Sequence, residues 1–442
     1  MHESVGQEIL KMAGEKGCDA AEVFIKSARG ISVEAKEGKV EALEASRDFG
    51  IALKVVKSRR LGFAFTTSPE KIGKTVDEAF EAAEWTCDDP YVDIPDNAPS
   101  SEVCIYDDHI HSLKEEDIIK DALSLEESAL RYDKRIKRVR KAEVSSGVGT
   151  TTVLNSKGIY VSYRSSYYAA HVTTLAQDEK GESQMGWDYA GSRRLSDVNL
   201  TSVGRGAAQR AIDLLGSRKI STAKVPVILS PQVSVDFLEI LSASLSSDAV
   251  QKQRSFLVGK TGRKIVSELV NIIDDGTLPW GTGTKPVDDE GVPTMNKTLV
   301  ANGTLNGYLY NTYTAKKSGA VSTGNAARGG FKSLPGVGVT NIFIKGEDDR
   351  PGDILKRSLP RGLLIQGAMG VHTANPISGD FSVGISGLWI ENGEVLYPVK
   401  EAVMSGNILD MFSRVEAVGS DLTFYGSSGA PSLLIGNMDI SA

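Results

Sequence analysis

Apolar and polar residues follow two different periods in the first 86 residues of the chain. Apolar residues recur at helical spacing over 4–17, and Gly17 suits the turn that ends such a helix. Alternation with period two follows in five segments, at 21–26, 31–35, 39–43, 50–56 and 60–65. A second helical period covers 69–86. The pattern predicts a helix, then an antiparallel meander of strands with one polar face, then a helix that closes it.

The pattern changes again further along the chain. Helices are predicted over 114–132 and 201–217, with a second group of strands from 136 to about 190. Beyond about residue 224, short apolar segments are punctuated by glycine and few helical periods remain. We therefore predict an α+β fold, in which residues 1–220 form an N-terminal mixed α/β domain with antiparallel strands. Residues 221–442 would form a mainly β C-terminal domain.

One segment of the second half predicts a buried strand that leads directly into a helix. The apolar run at 225–229 is followed by Ser230 and Pro231, which suit the N-cap and the first helical position. A helical pattern then continues to Ser244. We therefore expect this helix to begin at Pro231.

Two Asn-Gly pairs predict tight hairpins, at 302–303 and 392–393, because each lies between alternating apolar residues. Each is followed at a comparable distance by a Ser-Gly pair, at 318–319 and 405–406. Two interpretations are open. Either the second half contains a degenerate duplication, or two hairpins have converged on the same turn chemistry.

Composition and charge exclude several classes of protein. The 442 residues are 40% apolar and 24% charged, which is ordinary for a soluble globular protein with more than one core. The net charge of −7 argues against a nucleic-acid binder, which usually needs a basic face. The N-terminus lacks a signal peptide, and no apolar stretch approaches the ~20 residues that span a bilayer. We therefore expect a cytoplasmic protein that binds neither nucleic acid nor membrane.

The three cysteines form no CxxC pair. This usage suits a reducing compartment and offers no thiolate cluster for a metal.

The glycine-rich segment 370–384 is a candidate binding loop. It contains His372, Asn375 and Asp380 among small and turn-forming residues. Such a segment can line a cleft and offer these side chains to a ligand. It can equally be a tight turn whose Asn and Asp satisfy the local backbone, and both interpretations stay open.

Three adjacent carboxylates, Asp288, Asp289 and Glu290, form a second candidate site. They could hold a cation or orient a basic group. The alternative is a solvated loop closed by Gly291 and Pro293.

Taken together, these segments resemble the TldD/PmbA family, once described as modulators of DNA gyrase. The motifs that carry the resemblance lie in order at 276–279, 288–294, 302–303, 323–325, 370–384, 391–394, 405–407 and 418–421. The strand segments at 21–25 and 62–65 extend it over essentially the whole chain. No single motif is specific, but the ordered series is.

The resemblance implies a two-subunit metallopeptidase. In its catalytic subunit, TldD, both histidines of an HExxxH motif and a cysteine near the C-terminus hold zinc, and the glutamate of the motif activates water. Here the corresponding positions carry Glu239, Ile240 and Ser244, and the segment 424–430 contains no cysteine. One carboxylate and one hydroxyl cannot supply the required ligands and base. The chain therefore resembles the PmbA or TldE type of subunit, with no catalytic residues, metal or cofactor of its own; zinc is expected only in the TldD-like partner.

By this resemblance we expect a non-catalytic subunit of a heterodimeric TldD/TldE metallopeptidase that acts on unfolded or extended peptides. Its expected partners are a TldD-like catalytic subunit and a peptide substrate. Without that partner, both a homodimer and a chain that does not self-associate stay open. One alternative is an independent hydrolase that uses Asp288, Asp289, Glu290, His372 and Asp380 as acid–base or ligand groups. Another is a regulatory binding protein, such as a modulator of gyrase.

Overall fold

The computed structural model describes residues 2–96, 98–346 and 352–441. Within these residues the chain has the predicted α+β fold. The helices of the N-terminal half are α1 His2–Glu15, α2 Ile72–Trp85, α3 Asp108–Ser112, α4 Glu115–Leu130 and α5 Leu200–Asp213. Its strands are β1 Ala20–Lys36, β2 Lys39–Lys57, β3 Arg60–Thr66, β4 Ile136–Asn155, β5 Tyr160–Gln177 and β6 Ser183–Ser192. The strands form one antiparallel sheet in the order β3-β2-β1-β4-β5-β6.

The first strands are longer than the sequence pattern predicts. The segments 21–26 and 31–35 belong to one strand, β1, and the next two predicted segments form β2 in the same way. Residues between them keep partners on both sides, since Gly30 lies opposite Ser46 of β2 and Gly147 of β4. Because these pairings are unbroken, the interruption in alternation does not end the strand.

The two faces of β1 meet different parts of the molecule. Val23 packs with residues of α1 and α2, and Val33 packs with residues of α3 and α4. Glu22 and Phe24 lie on the opposite face, because successive side chains of a strand alternate. On that face Phe24 packs against Phe331 of the C-terminal half. Helices therefore cover one face of the sheet, and the C-terminal half covers part of the other.

The C-terminal half contains mostly short elements. Its helices are α6 Pro231–Ser244, α7 Ser247–Gln251, α8 Thr312–Ser318, α9 Gly352–Ser358 and α10 Ile408–Ser413. Its strands are β7 Ala223–Leu229, β8 Ile272–Asp275, β9 Asn296–Ala301, β10 Thr304–Leu305, β11 Ala326–Ala327, β12 Gly336–Val337, β13 Ile342–Ile344, β14 Arg361–Met369, β15 Asp380–Glu391, β16 Glu394–Asn407, β17 Val415–Val418, β18 Thr423–Tyr425, β19 Ser428–Ala430 and β20 Leu433–Ser441.

Two larger sheets share the core of this half. One has the order β10-β9-β8-β13-β19-β18. The other has the order β16-β15-β14-β7-β20-β17, and β16 also pairs with β20, so that five of its strands close into a ring. We call this second sheet the ring sheet. Helix α6 packs against β14 of the ring sheet and β19 of the other, and its Phe237 meets Phe381 edge-on with the ring centroids 5.0 Å apart.

Both predicted Asn-Gly hairpins are confirmed, because the residues at 302–303 and 392–393 have left-handed backbone conformations between paired strands. They belong to different sheets. The Ser-Gly pairs that follow also differ, since Gly319 ends α8 whereas 405–406 lies inside β16. The structure therefore favours two independent hairpins over a duplication.

Two expectations from composition can be compared with the structure. The three cysteines are unpaired. Among the described residues, no helix combines the length and apolar character needed to cross a membrane.

Candidate functional site

Helix α6 begins where the sequence predicts. Pro231 is its first residue, and Ser230 has the extended backbone of an N-cap. The Ser230 hydroxyl makes no capping hydrogen bond, however. Its backbone N–H instead donates to the carbonyl oxygen of Ile365 in β14, at 3.0 Å. The start of α6 is therefore held by the ring sheet and by proline rather than by a side-chain cap.

One face of α6 lines an open cleft of about 530 Å³, which we call the α6 cleft. Its α6 residues are Asp236, Glu239, Ile240 and Ala243. Positions spaced in this way share one face of a helix. The rest of the lining comes from the end of β14 and the segment that follows it, between 368 and 376, and includes His372.

Two of the three positions expected for a zinc motif line the α6 cleft, and the third does not. Glu239 and Ile240 are on its surface. Ser244 is only 2% exposed, and its hydroxyl has no hydrogen-bond partner within the described residues. Five residues correspond to about 140° around a helix, which turns Ser244 away from the face that carries Glu239.

Asp236 is a carboxylate of this cleft that the sequence analysis did not single out. It lies three residues before Glu239 on the same face of α6. Burial, followed by repulsion from Glu239, raises the pKa of Asp236 to about 7. A carboxyl group that titrates near neutral pH in a cleft can accept or donate a proton there. The helical spacing from Glu239 is the signal that could have identified it.

The segment 424–430, in which the family resemblance would place a zinc-binding cysteine of TldD, packs beside α6. It carries Tyr425, whose hydroxyl accepts a hydrogen bond from Nη2 of Arg210 at 3.1 Å. Arg210 in turn pairs with Asp188 at 2.7 Å. Burial raises the pKa of Tyr425, and Asp236 contributes to the rise. This side of α6 is therefore covered by a neutral phenol that is held from the N-terminal half.

The groups around the α6 cleft do not fit a zinc site. Zinc takes four ligands from nitrogen, sulfur and oxygen donors. The cleft offers the carboxylates of Asp236 and Glu239 on one wall and the imidazole of His372 on the other. In the described part of the chain, no three His, Cys, Asp or Glu side chains are grouped closely enough to hold a metal ion. Ile240, at the position of the motif's glutamate, has no atom that can take a proton from water. The residues present therefore do not form the zinc site of the motif.

The segment 370–384 combines the two interpretations that the sequence left open, a side chain available to a ligand and a turn stabilised by Asn and Asp. His372 lines the α6 cleft, is exposed, and makes no hydrogen bond or ion pair with the described residues. Asn375 Oδ1 accepts hydrogen bonds from the backbone N–H groups two and three residues further on, at 2.9 and 3.2 Å. Asp380 Oδ1 accepts one from Nδ2 of Asn407 at 2.9 Å. Asn375 and Asp380 therefore stabilise the loop, whereas His372 is available to a ligand.

The three adjacent carboxylates lie away from the α6 cleft, where the C-terminal half meets the N-terminal sheet. Asp288, Asp289 and Glu290 are 2%, 5% and 1% exposed. The solvated-loop interpretation is therefore wrong for them. Asp288 accepts hydrogen bonds from three backbone N–H groups and shapes the loop, and burial followed by repulsion from Glu290 raises its pKa.

The other two carboxylates belong to a set of buried ion pairs that we call the boundary network. Its members are Glu22, Lys54, Lys285, Asp289, Glu290 and Arg328. Lys54 Nζ lies 3.1 Å from Glu290 and 3.6 Å from Glu22. Burial alone would lower the pKa of Lys54, but these two carboxylates raise it, so the lysine stays charged. The network joins β1 and β2 to the C-terminal half.

Comparison with known proteins identifies the family. Sequence models of the PmbA/TldA metallopeptidases match this chain with domain 1 over 21–83, the central domain over 108–215 and the C-terminal domain over 222–442. Metalloprotease PmbA of Escherichia coli O157:H7 is 30% identical over 441 residues, which cover 98% of this chain and 94% of that protein. The chain belongs to the PmbA/TldD family.

Solved structures agree with membership of the PmbA/TldD family. A protein from Thermotoga maritima, described as a candidate modulator of a DNA gyrase, superposes with a TM-score of 0.93 at 28% identity and covers 100% of both chains. TldE from Thermococcus kodakarensis superposes with a TM-score of 0.90 at 22% identity and covers 99% of this chain and 100% of that one. The second likeness shows the fold alone.

Proposed function

We propose that this member of the PmbA/TldD family is a TldE-type subunit of a cytoplasmic heterodimeric metallopeptidase, and that hydrolysis takes place on a TldD-like partner. The substrates would be unfolded or extended peptides. One observation carries the proposal: α6 has Glu239 and Ile240 on the cleft and Ser244 in the core. The helix thus lacks both histidine ligands of the motif, and Ile240 stands where the motif's glutamate would activate water.

The surroundings of the α6 cleft support contact with an extended chain. Met369 lies within the range of the wall residues and Ile377 directly follows it, and they are 73% and 57% exposed. Large apolar side chains left exposed beside a cleft are typical of surfaces that bind another chain. The carboxylate of Glu239 adds negative charge, which would favour a basic side chain or a free amino group of a bound peptide.

The test is peptide hydrolysis by this chain alone and by the complex with a TldD-like subunit from the same organism. We expect no hydrolysis of an unstructured peptide by this chain, and hydrolysis by the complex that a metal chelator abolishes. Replacing the glutamate of the partner's HExxxH motif should remove all activity. Hydrolysis by this chain alone that survives the chelator would contradict the proposal.

Mass measurement of the native proteins would define the assembly. We expect a one-to-one heterodimer with the TldD-like subunit and a homodimer when this chain is alone. Capture of gyrase subunits without a TldD-like protein, in a pull-down from the source cell, would favour the regulatory function instead.

The independent-hydrolase alternative gains no support from the geometry. Its candidate residues are dispersed: 288–290 lie where the two halves meet, His372 lies in the α6 cleft, and Asp380 is paired with Asn407. They share no common site.

A further inference from the structure

A second cavity lies beside the boundary network, on the face of the N-terminal sheet that carries Phe24. Its volume of about 250 Å³ is close to the lower limit of small-molecule pockets, roughly 300 Å³. One wall comes from β1, β4 and β5, and another from the C-terminal half. Its charged side chains are four cations and one carboxylate, and two tyrosines also line it: Lys26, Arg193, Lys285, Arg328, Asp289, Tyr163 and Tyr167. We call it the boundary cavity.

Positive charge exceeds negative charge on the walls of this cavity. Arg328 and Lys285 each pair with a carboxylate of the boundary network, at 2.7 and 2.8 Å. Lys26 and Arg193 have no carboxylate within ion-pair distance among the residues that the structure describes. Two cations are therefore left without a counter-ion.

Arg193 is the more informative of these two cations. Its guanidinium donates to the carbonyl oxygens of Gly281, Ser166 and Thr282, at 3.1, 3.2 and 2.6 Å. These bonds use three of its five N–H groups and bring no negative charge. Burial lowers the pKa of Arg193, yet a guanidinium stays charged at neutral pH. A half-buried cation whose partners are all neutral favours a bound anion.

The remaining walls suggest what the anion is attached to. Phe24 and Val148 give the cavity an apolar part, and the guanidinium of Arg328 lies over the Phe24 ring, 5.0 Å from its centroid. Tyr163 and Tyr167 contribute aromatic rings with hydroxyl groups. A ligand that combines an oxyanion with a small apolar body matches these walls better than a bare inorganic ion.

We infer that the boundary cavity binds the carboxylate of a small organic acid, in particular the C-terminal residue of a peptide. Arg193 would hold the carboxylate through charge-assisted hydrogen bonds, and Lys26, which is exposed at the mouth, would attract it. The site is separate from the α6 cleft. The inference extends the proposed function, because a peptide could be held by its end on this subunit.

The test is calorimetric titration of the full chain with N-acetyl-alanyl-alanine, with its C-terminal amide, and with inorganic phosphate at constant ionic strength. We expect the acid to bind at least about tenfold more tightly than the amide, as for a hydrogen-bonded charge. Arg193→Gln should weaken binding of the acid by about tenfold or more, and Lys26→Glu by about threefold. Lys39→Glu, the same change of charge at the exposed β1–β2 turn, should have no effect.

Arg193 also ties loops together, so Arg193→Gln can fail to fold. In that case the test is the comparison of acid binding by Lys26→Glu and by Lys39→Glu. Both lysines are exposed, so neither change should disturb folding. Equal binding of acid and amide, binding of neither, or equal effects of the two lysine variants would overturn the inference. Tighter binding of phosphate than of the acid would overturn the assignment to a carboxylate. Binding is measured on this chain alone, whereas hydrolysis is measured on the complex. Failure of the binding inference and failure of the proposed function can therefore be told apart.

Discussion

The boundary network and the α6 cleft both contain neighbouring carboxylates, but the two regions differ in how these groups are paired. At 288–290 each carboxylate is buried and has a lysine or backbone N–H groups as partners. In the α6 cleft, Asp236 and Glu239 have no ion pair with any described residue, and exposed apolar side chains lie beside them. Buried groups that are paired stabilise an interface, whereas unpaired groups in a cleft are available to a ligand. Whether a carboxylate is paired therefore distinguishes a structural group from a candidate binding group. The mere presence of acidic residues does not.

The largest effect is expected from removing a cation of the boundary network. Lys54→Met should lower the free energy of unfolding by about 3–5 kcal/mol, because it leaves Glu22 and Glu290 buried with less compensating charge. Urea unfolding followed by circular dichroism measures the change.

The matched control is Lys74→Met. Lys74 pairs with Glu78 at 3.2 Å, but both side chains are exposed, so the loss should stay below about 0.5 kcal/mol. Similar losses for Lys54→Met and Lys74→Met would mean that the boundary network contributes no more than a surface ion pair.

The second prediction concerns pH and Asp236. Its folded-state pKa of about 7 lies above the ordinary value of 3.8, so its contribution to stability is fully present below about pH 4 and is lost as pH rises through about 7. Allowing for partial exposure, we expect the titration of Asp236 to lower the free energy of unfolding by about 1–2 kcal/mol between pH 4 and pH 8. Asp236→Asn should remove that part of the pH dependence, as measured by denaturant unfolding across this range.

Glu239→Gln sharpens the same test. It removes the negative charge that adds to the rise in the pKa of Asp236, so the pH dependence should shrink without disappearing. An unchanged pH profile in Asp236→Asn would show that Asp236 does not titrate in this range.

Local features of the chain were predictable because they are encoded by neighbouring residues. Helical spacing predicted α6 and its start at Pro231, and Asn-Gly chemistry predicted the hairpins at 302–303 and 392–393. The boundary network was not predictable, because Lys54 and Glu290 are joined only when the two halves meet. The division at residue 220 and the roles of the site residues remain predictions.

A smaller effect is expected where the N-terminal half contacts α6. Tyr425→Phe removes the hydrogen bond from Arg210, while Arg210 keeps its ion pair with Asp188. We expect a loss of about 1 kcal/mol in the free energy of unfolding, typical of one hydrogen bond. Tyr91→Phe is the control, because that hydroxyl is exposed and has no partner in the described residues. Equal effects of the two changes would leave Tyr425 without a role in joining the halves.

The smallest effect on stability is expected at His372, which is exposed and has no partner among the described residues. His372→Ala should change the free energy of unfolding by less than about 0.5 kcal/mol. Asn375→Ala in the same loop should cost about 1 kcal/mol, because it removes two hydrogen bonds to backbone N–H groups. Measured in the complex with a TldD-like subunit, turnover should remain chelator-sensitive in both variants. If His372→Ala abolished turnover while Asn375→Ala did not, His372 would be a catalytic group, and the chemistry would belong to this chain.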